Sequence, residues 1–489
     1  MFYIGIDLGT SSVKLLLSDE KGNILKTSTK EYPLIFPRDG WSEQNPADWW
    51  RGTKAALREI TENIDPSLVK GIGVAGQMHG LVILDENDEV IRPAILWNDS
   101  RTEKEVEYLN NVIGKEKLSQ YTGNIAFAGF TAPKILWIKE NEPENFSRIK
   151  KIMLPKDYIN YMLTGVHACD YSDASGMLLL DVKNRCWSEE MLNICGITKK
   201  VMPRLYESYE VIGEVKKDFR LPFTKVVAGA GDNAAAAIGT GTVGNGRCNI
   251  SVGTSGTVFI SSNNFSVDEF NSLHSFCHAD GKYHLMGCML SAASCNKWFS
   301  EEILKENDFS LLQKDITEED LGNNSIYFLP YLMGERSPVN DTDARGVFLG
   351  MSLDTTRKDM VLSVLEGVSF AIRDSFEAAK KSGIEITESC LVGGGAKSPL
   401  WRKILANVLG IKLNILKTEQ GPGMGAVILA MTGTGLYPSV VEAADELTVF
   451  AETVYPDEKL TALYEDRYNK YRQIYPALKG VFRNIKEGD

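Results

Sequence analysis

Residues 4–19 read IGIDLGTSSVKLLLSD, and residues 249–263 read NISVGTSGTVFISSN. Ile6, Gly9, Thr10 and Ser11 line up with Ile250, Gly253, Thr254 and Ser255 at a constant offset of 244, about half of the 489-residue chain. Each copy reads as a strand, a tight Gly-Thr-Ser turn and a second strand. A chain of this length is too large for one hydrophobic core. A unit that recurs at the half-length therefore predicts a duplicated α/β domain, with the first copy over 1–243 and the second over 244–489.

The intervening elements follow one grammar in both halves. ILKTSTKEYPL continues the first meander as a third strand. NPADWWRGTKAALREITENI opens on a cap-like Asn45 with Pro46 behind it and then shows helical spacing. VKGIGVAGQ reads as a buried strand ending at Gly76, and RTEKEVEYLNNVIG as a helix with a glycine stop. In the second half, TTRKDMVLSVLEGVSFAIRDSFEAAKKSG predicts a long helix or a helix pair. ESCLVGGGAKSPLWRKILANVLG predicts a strand, a glycine loop and a helix, and PGMGAVILAMTGTG an apolar helix with a glycine-rich end.

Charge and cysteine usage narrow the function classes. A net charge of −12 argues against a general nucleic-acid binder, because phosphate backbones call for clustered Lys and Arg. No segment approaches the length of a membrane span, and the N-terminus reaches Asp7 and Gly9 with no secretory pattern. The eight cysteines contain no C-x-x-C pair, which fits reduced thiols in a cytoplasm.

A Gly-Thr-Ser turn between strands exposes successive backbone N–H groups and hydroxyls, a nest suited to phosphate. Two such turns, one per half, can grip one polyphosphate across a cleft; a single one is equally a plain hairpin turn. Asp7 has no acidic counterpart in the second copy, where Ser251 stands. A carboxylate beside a triphosphate repels it unless a cation intervenes, so Asp7 is read as holding Mg²⁺ through water; capping the turn is its bland alternative. Lys14 either reaches the phosphates or faces solvent. AGAGDNAAAA places Asp232 after a run of small residues, where an acid either faces a cleft or caps the alanine helix. AGQMHG ends a strand with Gln77, Met78 and His79, and a lone His there is more often structural.

Three stretches mimic other chemistry. GTGTVG at 239–244 fits G-x-G-x-x-G but neither follows a clear strand nor opens a helix. GGGAKS at 393–398 lacks Walker spacing, although its glycines let a nucleotide approach the backbone. HSFCHADGKYH gathers His274, Cys277, His278 and His284, but no second cluster completes a zinc pattern, so a hairpin is expected.

Taken together, these residues resemble the FGGY carbohydrate kinases, within the actin, hexokinase and Hsp70 superfamily. DLGTSS looks like that superfamily's first phosphate motif, GTSGT like the second, and VGGGAKSP like the adenosine motif. GFTAPKILWIKEN (129–141) and GVFLGMSLDTTRKDMVLSVLE (346–366) look like the two family signatures. The resemblance implies two ribonuclease H-like domains flanking a catalytic cleft, with ATP as phosphoryl donor and Mg²⁺ as cofactor. GQMHG, WNDSRT (97–102) and YLMGERSPVNDTDARGVF (331–348) look most like members that act on D-xylulose.

By that resemblance Met78, His79, Asp232 and Asn233 contact the sugar, with Gln77 and Trp97 on the same side, and Asp232 is the catalytic base. Asp7, Thr10, Ser11, Lys14, Gly253, Thr254, Gly394, Gly395 and Pro399 fall to the Mg·ATP side. Lys14 stands where glycerol kinases carry a phosphate-binding Arg. The sugar is expected in the first domain and the adenosine in the second, with a homodimer as the implied assembly. With an unperturbed pKa of about 3.9, an Asp would mainly orient the hydroxyl and collect its proton late. Other readings are a kinase for another sugar or polyol, such as ribulose or gluconate, and an actin- or chaperone-like ATPase that binds protein partners.

Overall fold

The strand Phe2–Leu8 alternates its side chains between two covered faces, which is why almost all of it is buried. Ile4, Ile6 and Leu8 point into a core shared with Trp49, Trp50 and Leu57 of the helix Pro46–Thr61. Tyr3, Gly5 and Asp7 take the opposite face. The chain is described here by a computed structural model covering residues 1–418 and 420–486, so the predicted end of the second domain at 489 lies outside the described residues.

The first hairpin pairs Phe2–Leu8 with Ser12–Asp19 in antiparallel register, Asp7 opposite Lys14 and Leu8 opposite Val13. Its counterpart pairs Arg247–Val252 with Gly256–Ser262, Ser251 opposite Thr257 and Val252 opposite Gly256. The second turn is one residue shorter, so the offset of 244 holds into the turn and slips in the returning strand.

Around these hairpins the two halves build equivalent sheets. The first runs Val211–Glu214, Lys225–Val227, Val69–Gly76, Phe2–Leu8, Ser12–Asp19, Ile24–Glu31. The second runs Phe450–Val454, Lys412–Leu416, Glu388–Val392, Arg247–Val252, Gly256–Ser262, Tyr283–Met289, His274–Cys277. In each, an antiparallel meander is extended by two parallel strands and closed by an antiparallel edge. The repeat in the sequence is thus a repeat of topology.

The expected helices form. Asn45 caps Pro46–Thr61 by accepting from the Ala47 N–H, and Gly114 breaks its helix at φ 101°. The segment read as a long helix or a pair is one 25-residue helix, Arg357–Lys381, opened by a reciprocal cap between Thr356 and Asp359.

One helix of the second half belongs spatially to the first. Gly421–Gly433 is apolar all round, as a helix covered on every side must be. It lies between the alanine helix Asp232–Gly239 and the Tyr3–Gly5–Asp7 face of the first sheet. Backbone meets backbone there. A methyl added at Gly5 would lie 2.1 Å from the Gly423 oxygen, one at Gly73 2.0 Å from the Ala426 oxygen, and one at Gly425 1.8 Å from the Ala235 oxygen. Gly73→Ala is expected to lower stability by about 1–3 kcal/mol or more in urea titrations, because no side chain can swing aside. Gly480→Ala, on the exposed face of Ile474–Lys486 with nothing within 4 Å, should instead raise it by about 0.5–1 kcal/mol.

Candidate active site

Three parallel strands end side by side at one edge of the first sheet. Leu8 and Gly231 both pair with Gly76, so Asp7, Gln77 and Asp232 emerge together at the carboxyl ends of their strands. This is where open α/β sheets bind ligands. Neither Asp7 nor Asp232 makes an ion pair among the described residues. Burial pushes Asp7 up to about 6, against the pull of Lys14. Burial, and then the charge of Asp7, push Asp232 up to about 7, against an N–H bond from Asn233. In the free protein, Asp232 is therefore a stronger base than the ordinary aspartate assumed from sequence. It also does not cap the alanine helix: Gly231 is the cap position, and the carboxylate accepts from Asn233 N (2.7 Å) and Nδ2 (3.1 Å).

The first turn is braced from below. Gly9 N donates to Ser12 O (3.0 Å), Tyr32 OH donates to Gly9 O, and Gln44 Nε2 donates to Thr10 O (2.6 Å). Trp97 Nε1 donates to the Thr10 hydroxyl (3.0 Å), so Trp97 stands over this turn, half-exposed. Ser11 is exposed, and Lys14 Nζ donates to Gln420 Oε1 (3.1 Å), at the start of the helix Gly421–Gly433. Gln77 is buried: its N donates to Leu8 O and its Nε2 to Gln44 Oε1, so its side chain joins the bracing of the turn.

The second turn is anchored by Ala292 N and Ala293 N, which donate to the carbonyls of Thr254 and Gly253. The glycine loop rests against it. Gly393, at φ 87°, would put a methyl 2.8 Å from Val252 O, and Gly395 would put one 2.5 Å from Val252 Cγ1. Gly394 and Pro399 face outward, and Pro399 begins a helix capped by Ser398.

Beyond Gln77, His79 sits at φ 67°, a left-handed conformation costly for a residue with a Cβ. Its carbonyl accepts from Thr131 Oγ1 (3.0 Å) and Lys134 Nζ (2.9 Å), which pins it. Nδ1 lies 2.7 Å from Gly176 O, and a carbonyl only accepts, so Nδ1 carries the proton and Nε2 is left as an acceptor. Burial, with Lys134 and Arg336 nearby, holds the imidazole neutral, down to about 3. Asn233 Nδ2 reaches Met78 Sδ (3.7 Å), joining Met78 to the start of the alanine helix.

Sequence comparison gives this cleft its family. The model for the N-terminal domain of the FGGY family of carbohydrate kinases matches residues 2–239, and that for the C-terminal domain matches 248–434. The chain belongs to the FGGY family of carbohydrate kinases. It is 40% identical over 482 residues to a xylulose kinase from Escherichia coli K12, covering 97% of this chain and 99% of that protein. A xyloylose kinase from Brucella ovis superposes with a TM-score of 0.93 at 38% identity, covering 98% and 100% of the two chains. A gluconate kinase from Lactobacillus acidophilus superposes almost as well, 0.92 at 27% identity and 99% of each chain.

Several residues that shape this FGGY kinase's cleft gave no local signal. Lys156 is fully buried against Gly76. Its ammonium lies 2.6 Å from Asp157 and 3.0 Å from Asp170, and it donates to Ala228 O (3.2 Å) on the approach to Asp232. Burial alone would depress it, but Asp157 and Asp170 hold it well above the ordinary lysine range. Asp170 also accepts from Ser172 Oγ, which in turn accepts from Gly231 N (3.2 Å). Burial pushes the Asp173 carboxyl well above its ordinary value, against the pull of Lys156. Two residues beyond Trp97, a buried Asp99–Arg101 pair (2.7 Å) stacks its guanidinium 3.8 Å over Trp41.

The histidine-rich stretch is the expected hairpin, His274–Cys277 against Tyr283–Met289. Among the described residues no His, Cys, Asp and Glu cluster could hold a metal by itself. None of the eight cysteines forms a disulfide, and no described helix is long and apolar enough to cross a membrane.

Removing the buried ammonium with Lys156→Met should cost about 3–5 kcal/mol in denaturant titrations, because Asp157 and Asp170 are then left uncompensated. The site itself costs stability as it ionises. An acid whose pKa is raised on folding binds more protons folded than unfolded between those two values. Stability contributed by Asp232 and Asp7 therefore falls from about pH 4 towards pH 7. Asp232→Asn should stabilise the ligand-free protein at pH 8 by about 1–3 kcal/mol, the partial opening of Asp232 to the cleft being allowed for, and by little at pH 4. Thermal melts at the two pH values check it.

Proposed function

We propose that this protein transfers the terminal phosphoryl group of ATP to the terminal hydroxyl of D-xylulose. The observation that carries the reading is Asp232, an uncompensated carboxylate of raised pKa at a strand end, flanked by the sugar-side group Met78, His79 and Asn233 and by Asp7. Phosphoryl transfer needs an in-line nucleophile, a proton acceptor and neutralised charge, and little else from a protein. Asp232 would accept the proton of the sugar hydroxyl, its basicity near neutral pH suiting that task. The neutral His79 offers Nε2 to a sugar hydroxyl. The turns at Gly9–Thr10–Ser11 and Gly253–Thr254 face the phosphates, and Gly394, Gly395 and Pro399 the adenosine.

A divalent cation fits the donor set. Asp7 is a half-buried carboxylate with no ion pair among the described residues, beside a second acid, and Mg²⁺ is ordinarily held by one or two carboxylates together with substrate phosphates. Bound there with ATP, it would neutralise triphosphate charge. The ketose assignment is supported by the names of the E. coli and Brucella relatives. The gluconate kinase neighbour makes a sugar acid the second reading, since a shared fold does not fix a substrate. Eight cysteines without a disulfide suit a reducing cytoplasm.

A coupled assay of ADP release over D-xylulose, D-ribulose, gluconate and glycerol tests the assignment. D-Xylulose should give the highest kcat/KM. Asp232→Asn should lower kcat about 10²- to 10⁴-fold and leave KM for ATP little changed. A different preferred acceptor would overturn the substrate; undiminished turnover in the variant would overturn the role of Asp232; ADP release indifferent to every sugar would favour a protein-coupled ATPase.

A further inference from the structure

The second half of the chain sends one cation to the sugar side of the cleft. Arg336 is half-buried, with its guanidinium carbon 5.4 Å from the centre of the Phe127 ring. Phe127 packs edge-on against Phe130 (5.6 Å) and His274 (5.1 Å), and Phe130 lies 4.9 Å from His79. The guanidinium thus caps an aromatic wall that runs directly into the sugar-side histidine.

Its base is rigid. Arg336 N donates to Glu335 Oε1 (2.7 Å), which also accepts from Leu290 N (2.9 Å); Ser337 N donates to Cys288 O (3.0 Å), and Asn340 N to Arg336 O (2.6 Å). The head, by contrast, is under-used. A guanidinium carries five N–H donors, yet among the described residues it forms no ion pair, and its side-chain contacts are the Phe127 face and the weakly accepting Cys288 thiol. A half-buried cation without acceptors is costly unless a ligand supplies them.

The geometry also says which part of a ligand. Arg336 acts on His79, His274, Glu335 and the Cys288 thiol, and Cys288 in turn feels the charge of Asp232. Through the Phe127–Phe130 wall the guanidinium stands on the His79 side of the pocket. With a terminal hydroxyl held at Asp232, the opposite end of a ketose presents a carbonyl and a neighbouring hydroxyl, both acceptors.

Resting on the substrate class proposed above, we propose that Arg336 is a positioning residue that donates to the carbonyl end of the ketose and sets the preference for ketose over polyol. Sugar binding then ties a residue of the second half to the pocket of the first.

Steady-state kinetics of the full chain and of Arg336→Gln and Arg336→Lys, with D-xylulose and with its reduced polyols xylitol and D-arabinitol, test this. In Arg336→Gln, KM for D-xylulose should rise about 10- to 100-fold, while kcat and KM for ATP stay within about threefold. The ketose-over-polyol ratio of kcat/KM should fall by a similar factor, Arg336→Lys should lie between, and guanidinium ion should partly restore Arg336→Gln. An unchanged KM for the sugar, a loss confined to kcat with a raised KM for ATP, or equal losses on ketose and polyol would each overturn the proposal. So would a lowered melting temperature that accounts for the whole loss. A parent enzyme that ignores ketoses overturns the substrate reading itself; a parent active on D-xylulose with insensitive variants overturns only the role of Arg336.

Discussion

The parallel register of Phe2–Leu8, Val69–Gly76 and Ala230–Gly231 is the constraint on which the cleft depends. It ends three strands together and brings out two carboxylates with no ion-paired cation of their own. Packing cannot remove that frustration without removing the site. The protein instead fixes each acid from behind: Asp7 by the sheet that holds Phe2–Leu8, Asp232 by the Lys156 cluster and by the close approach of Gly231 to Met78. Stability is spent to hold both acids side by side at one edge of the sheet.

The glycine seam gives this arrangement its second support. Gly5 and Gly73 lie on the same face of the sheet as Asp7, and the helix Gly421–Gly433 touches their backbone directly. Side chains at either position would lift the helix off the sheet. That helix also packs on Asp232–Gly239, so one element from late in the chain fixes the relative position of both acid-bearing segments. The start of the same helix, at Gln420, receives Lys14. Two halves that look independent in sequence are interlocked in space.

Much of the site was legible locally because its chemistry is carried by backbone turns. Gly-Thr-Ser between strands, a glycine loop before a capped helix, and an acid after a run of small residues each have a conformational signature within a few residues. The repeat exposed the duplication because both copies keep the residues that make the turn. Gln77 was legible as a strand-end residue, but its inward turn onto Gln44 was not, since its partner lies in a separate part of the chain. Nothing local marks Lys156, and Arg336 stands out only as part of the stretch YLMGERSPVNDTDARGVF.

The sequence by itself determined the strand–turn–strand units, the caps and stops of the main helices, and the family, because local dihedral preferences and contiguous motifs carry that information. The tertiary structure alone decided which polar groups are deprived of water and of partners. It raised Asp232 and Asp7, neutralised His79, buried Lys156 among acids and left Arg336 with no ion pair among the described residues, because desolvation and charge pairing depend on neighbours that meet only when distant segments pack together.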